Sequence, residues 1–191
     1  MATTERATAS TRRRSLRNLY LVRFVVAIIW VAIMLATQAG AVTPSPLLTV
    51  LLVLYPLFDA GAVLWQVRTD PAPDRRAVAE RVNIAVSIAV AVALGISASF
   101  ALPAALAVWG AWAIVAGVPQ LIAAIRNRRS GGQVAQMLSG GISVLAGAGF
   151  LFQGLQGSGM MAGAAGYAAL GAVFFLVSAI RLTMTLRKGE A

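Results

Sequence analysis

Six long apolar runs, separated by short breaks carrying charge, Gly, Pro or Ser, dominate the pattern of the chain. A helix needs about 20 residues to cross the hydrocarbon core of a bilayer. The runs predict spans at 19–39, 46–67, 82–99, 103–125, 134–155 and 162–186. Pro46 and Pro103 suit the first turn of a helix, where the missing N–H is no loss. The apolar stretch from 82 to 125 is too long for one span. Ser97, Ser99 and Pro103 mark the break, which predicts a very tight hairpin. Transmembrane strands would alternate apolar and polar residues. These runs are continuously apolar, so the fold class is an all-α integral membrane protein.

Residues 1–15 are polar and basic and lack apolar periodicity, which predicts a disordered tail. The apolar run that follows is longer than the roughly 7–15 residues of a signal-peptide core, so it reads as a first span. Residues 16–188 then form one six-helix transmembrane domain, pairing into hairpins at about 19–67, 82–125 and 134–186.

Composition excludes most chemistry. Hydrophobic residues make up 59% and charged residues 12% of the 191 positions, more apolar than the outer layer of a soluble fold tolerates. There is no Cys, hence no disulfide, thiolate nucleophile or iron–sulfur ligand. There is no His, the usual general base and commonest metal ligand. The expectation is a non-enzymatic protein with no cofactor and no metal.

Charge sets the predicted orientation. All 16 basic residues fall in four groups. Six lie in the N-terminal segment and the first span (Arg6, Arg12, Arg13, Arg14, Arg17, Arg23) and four between spans two and three (Arg68, Arg75, Arg76, Arg81). Three follow span four (Arg126, Arg128, Arg129) and three close the chain (Arg181, Arg187, Lys188). The three alternate connections carry no charge. The positive-inside rule then predicts a plasma-membrane protein with both termini cytoplasmic. The net charge of +10 is on this reading topological, and no nucleic-acid partner is expected. Expected partners are membrane lipids, with a membrane-protein partner or a second copy left open.

The even spans look related. Arg68, Arg126 and Arg187 close them, 58 and 61 residues apart, and GAWAIVAGVPQLIAAIR aligns with GAVFFLVSAIRLTMTLR without a gap. This predicts three repeated helical hairpins entered from the same side. Short hairpins with a Gly in every span but the first and an Arg closing every second span resemble the HdeD-like membrane proteins. The matching stretches are ALAVWGAWAIVAGVPQLIAAIRNRR, MLSGGISVLAGAGFLF and GYAALGAVFFLVSAIRLTMTLRKG, covering most of residues 105–189. The charges at Arg23 and Asp59, and the absence of a Pro after span five, depart from that pattern. The resemblance implies a six-span bacterial protein linked to acid or general stress tolerance, with no catalytic residue to carry over.

Asp59 is the single acidic residue inside a span. By helical rise it sits about 13 Å in from Arg68, and Arg23 about 9 Å in from Arg17. Arg181, about 9 Å in from Arg187, is a second candidate partner. An unpaired charge at such depth costs about 2.5–3.5 kcal/mol on insertion scales, which favours an intramembrane ion pair. Three readings follow: a proton- or ion-handling site, a buried pair that fixes packing, or a snorkelling Arg23 beside a hydrated Asp59. Asn83 and Gln120 are expected to make interhelical hydrogen bonds. Asp70, Asp74 and Glu80 among their Arg neighbours read as solvated loop charges. Pro56 and Pro119 each free a carbonyl one turn back. Two small-residue stripes on span three (Ala85, Ala89, Ala93, Ser97; and Ser87, Ala91, Gly95) and one on span five (Ser139, Ser143, Gly147) are expected packing faces. The leading functional expectation is a stress-tolerance protein acting by packing, lipid binding or partner binding. A small channel or transporter using Asp59, and an accessory subunit of a larger complex, are the alternatives.

Overall fold

The computed structural model describes residues 2–38, 40–41, 43–69, 76–126, 128, 133–158 and 160–190. Six helices account for nearly all of them: α1 (Ala2–Gln38), α2 (Pro46–Thr69), α3 (Arg76–Phe100), α4 (Leu102–Arg126), α5 (Gln133–Leu155) and α6 (Met161–Glu190). No strand occurs among the described residues. Each helix contains a stretch long and apolar enough to cross a membrane. At most 39% of any such stretch is buried inside the protein, so most of its apolar surface must be covered by lipid. The chain is a multi-pass helical membrane protein.

The elements end where local chemistry ends them. The Ser45 hydroxyl accepts the Leu48 N–H at 3.1 Å, capping α2 ahead of Pro46. At the end of α5, Gly157 has φ 71°, and the Ser158 and Gly157 N–H groups return to the Gln153 and Gly154 carbonyls. That is a Schellman closure, and the left-handed residue it requires is the glycine. Only Ala101 separates α3 from α4, in keeping with the tight hairpin expected there. The tail expected to be disordered is different: α1 starts at Ala2 and runs unbroken into the first span. A helix already nucleated by the span extends at the cost of one residue at a time, and the Ala and Arg of the tail are good helix formers. Asp70, Asp74 and Arg75 lie outside the described residues.

The helices pack in a closed ring, each touching its chain neighbours and α6 closing onto α1. The interfaces alternate in extent. The broad ones are α4·α5, α1·α6 and α2·α3; α3·α4, α1·α2 and α5·α6 are progressively slighter. Two of the strong seams, α2·α3 and α4·α5, therefore run across the connections at the arginine-rich end of the bundle, and the third joins the two terminal helices. None of the three lies within the hairpins 19–67, 82–125 and 134–186.

Glycine explains the tightest seam. Gly110 and Gly117 on α4 face Gly140, Gly147 and Gly154 on α5, all spaced by seven. A Cβ built on Gly110 would lie 2.5 Å from the Gly147 carbonyl oxygen, and one on Gly154 would meet the Pro103 carbonyl. Backbone here packs on backbone, which small residues permit where the hydrophobic effect cannot drive association. On α3 the stripe Ser87, Ala91, Leu94 and Ala98 is buried, whereas Ala85 and Ala89 of the other expected face are exposed. One inward face suffices for a helix sitting in a ring.

The uncharged half of the ring is solid. Met34, Leu48, Leu52, Leu94, Leu106 and Met161 are fully buried there. Toward mid-bundle, Trp30, Tyr55, Trp109 and Trp112 from α1, α2 and α4 form a continuous aromatic layer. Trp30 and Trp109 stack at 5.5 Å, and Trp109 meets Trp112 edge-on at the same distance. The Trp30 Nε1 donates to the Leu51 carbonyl at 2.7 Å, in the α2 turn just before Pro56.

Candidate functional site

The arginine-rich half of the ring is hollow. A cavity of about 340 Å³ lies there, lined by residues of all six helices. It occupies the gap left by the slight α5·α6 contact, with Ala135, Gln136 and Ser139 on one side and Phe174, Phe175 and Ser178 on the other. Its inner end is set by Tyr55 and Trp112 of the aromatic layer. All three tyrosines of the chain and half of its aromatic residues line this one space. The rest of the lining includes Asn83, Gln120, Gln136, Ser139, Ser143 and Ser178.

Arg23 and Asp59 meet on the cavity wall. The Arg23 Nη2 donates to Asp59 Oδ1 at 2.9 Å, with side chains 12% and 24% exposed. The second carboxylate oxygen accepts from the Asn83 Nδ2 and the Ser87 hydroxyl, both at 3.1 Å. One carboxylate thus ties together α1, α2 and α3. The Arg23 guanidinium also lies 5.2 Å from the centre of the Phe175 ring on α6, and that ring stacks on Tyr20. A cation over an aromatic face is stabilised by the ring quadrupole, most strongly when desolvated. The Arg23 Nε is buried and has no hydrogen-bond partner.

Of the residues singled out from the sequence, Arg23 and Asp59 are brought together. Arg181 is not among the residues that line the cavity; it is exposed on α6, one turn beyond Ser178. Asn83 reaches Asp59, and Gln120 donates to Gln136 at 2.8 Å across the α4·α5 seam. On the far wall the Tyr167 hydroxyl donates to the Ser143 hydroxyl at 2.9 Å, and Ser143 donates to the Ser139 carbonyl one turn back.

Sequence reasoning missed the cavity, the Tyr167–Ser143 contact and the aromatic layer. The seven-residue glycine spacing was a legible signal for the α4·α5 seam. Nothing local marks Tyr20, Tyr55 and Tyr167 as sharing one space, because they lie on three different helices. Among the described residues no cluster of acidic side chains could hold a metal ion.

No family model matches the chain, and neither a curated protein nor a solved structure does. The functional reading therefore rests on the site itself.

Proposed function

We propose that the chain is a non-enzymatic bacterial plasma-membrane protein of HdeD-like type, with both termini cytoplasmic, built as three repeated hairpins. Its activity on this reading is to bind a small amphipathic molecule in the cavity, admitted from the cytoplasmic side, in support of stress tolerance. The observation that carries the reading is the cavity in the arginine-rich half of the bundle. It is polar and aromatic within, sized at the lower end of small-molecule pockets, and backed by a solid apolar half-bundle. The clustering of basic residues at the cavity end supports the orientation.

Two features speak against a channel that conducts through Asp59. Its oxygens already accept three hydrogen bonds. A packed aromatic layer also lies between it and the uncharged end. A proton relay would need further acidic groups along the path, and Glu80, the other acidic residue of a candidate span, sits at the very start of it and accepts from Gln66.

Thiol accessibility tests the proposal. In inside-out vesicles, Ser139→Cys on the cavity wall should react with a small water-soluble reagent, and Ala98→Cys in the packed half should not. Ser45→Cys should react with an impermeant reagent only in intact cells, and Thr69→Cys only in inside-out vesicles. An unreactive Ser139→Cys, or reaction of Thr69→Cys in intact cells, would overturn it. Asp59-dependent ion flux in proteoliposomes would favour the transporter instead.

A further inference from the structure

The cavity wall carries one charged pair, and its two members are not equally committed. Asp59 is saturated along both oxygens: Oδ1 takes the Arg23 Nη2, and Oδ2 takes Asn83 and Ser87. A guanidinium has five N–H donors on three nitrogens. Arg23 commits only Nη2, which also reaches the Asp59 backbone carbonyl at 3.4 Å, and its Nε is buried without a partner. The unmet hydrogen-bonding capacity at the pair is therefore donor capacity on a fixed positive charge. That Nε is closed off even from water, so an incoming acceptor would meet the donors of Nη1, on the part of Arg23 that lines the cavity.

The rest of the lining describes the body of the molecule that would bring that acceptor. Tyr20, Phe58, Phe174 and Phe175 line the same cavity as Arg23, the Phe175 ring 5.2 Å from its guanidinium, and about 340 Å³ admits a compact group. The cavity lies at the end of the bundle where the arginines cluster, in a chain of net charge +10. That field attracts anions and repels cations.

We propose that the cavity binds a small amphipathic monocarboxylate, its anionic group on the uncommitted donors of Arg23 and its apolar body among the aromatic rings. This rests on the cavity-binding reading above and adds the charge and size of the ligand. A lipophilic cation is the opposite case. It would have to take Asp59 from three donors at once and enter past the arginines.

The test uses three probes that share one body: 3-phenylpropionate, 3-phenylpropanol and 3-phenylpropylamine. Binding to the purified full chain in lipid nanodiscs is followed by tryptophan emission, since Trp112 lines the cavity. The carboxylate should bind saturably, about tenfold or more tighter than the alcohol, as loss of a hydrogen bond to a charged group implies. The Arg23→Gln/Asp59→Asn double variant, which keeps the wall neutral, should abolish that preference. Ser139→Trp, which fills the space without touching the pair, should weaken all three probes. Tighter binding of the amine, equal binding of all three, no saturable carboxylate binding, or an undiminished preference in the double variant would each overturn the proposal. Equal binding of the three would sink the charge assignment alone. A Ser139→Cys that no reagent reaches would sink the cavity reading beneath it.

Discussion

Arg23 and Asp59, 36 residues apart in sequence, are joined at 2.9 Å in the arginine-rich half of the ring. The contact pairs the two charges on the cavity wall, where their side chains are only 12% and 24% exposed. It also couples α1 to α2, one of the slighter seams of the bundle. With Asn83 and Ser87 on the same carboxylate, the pair fastens the first three helices at one point.

Removing one member should cost more than removing both. Arg23→Leu or Asp59→Leu leaves its partner buried and uncompensated, which costs about 3 kcal/mol in comparable pairs. The double Leu variant removes the stranded charge as well. Thermal or denaturant stability in detergent should place it nearer wild type than either single variant. Two single variants as stable as wild type would mean that the pair does not fasten the bundle.

The α4·α5 seam should be the least tolerant of added volume. Gly110→Ala and Gly147→Ala place a methyl where the facing backbone already lies at 2.5 and 2.7 Å. Each should destabilise by about 1–3 kcal/mol, the usual range for overpacking. Gly141→Ala and Gly149→Ala on the same helix have nothing within 4 Å of the added Cβ. They should be neutral or slightly stabilising, because Ala favours helix over Gly. A melting series that ranked the four alike would refute backbone-on-backbone packing.

Two buried tryptophans of the aromatic layer should differ in what they lose. Trp30 donates to the Leu51 carbonyl at 2.7 Å, whereas the Trp109 Nε1 is buried with no hydrogen-bond partner. Replacing each by Phe deletes similar volume. Trp30→Phe also removes a hydrogen bond, and Trp109→Phe removes an unsatisfied donor. Trp30→Phe should therefore be the more destabilising by about 1 kcal/mol. Equal losses would assign the whole effect to packing.

The six spans were legible in the sequence because membrane helices are specified by a local quantity, the run length of apolar residues, which needs no knowledge of neighbours. Predicted and observed ends agree within a few residues for α2, α4, α5 and the start of α6. The extra turns of α1 and α3 were not legible. Their polar residues give no hydrophobic signal and are helical because a span has already nucleated the helix. Arg23 and Asp59 could be marked as partners in advance because charge inside an apolar span is rare and costly, and depth from the nearest span end is a matter of helical rise.

Which helices pack broadly, and what they enclose, was decided by tertiary structure alone. Lipid tails are as apolar as leucine, so hydrophobicity does not say which face of a span turns inward. That choice fell to shape. The glycines at 110, 117, 140, 147 and 154 draw α4 and α5 together. The rings of Trp30, Tyr55, Trp109 and Trp112 close the ring's interior at mid-bundle. The light contact of α5 with α6 leaves the arginine-rich half open. The unequal hydrogen bonding of Arg23 and Asp59 emerges only there. Asn83 and Ser87 reach Asp59 from a third helix, and no spacing along the chain records that they do.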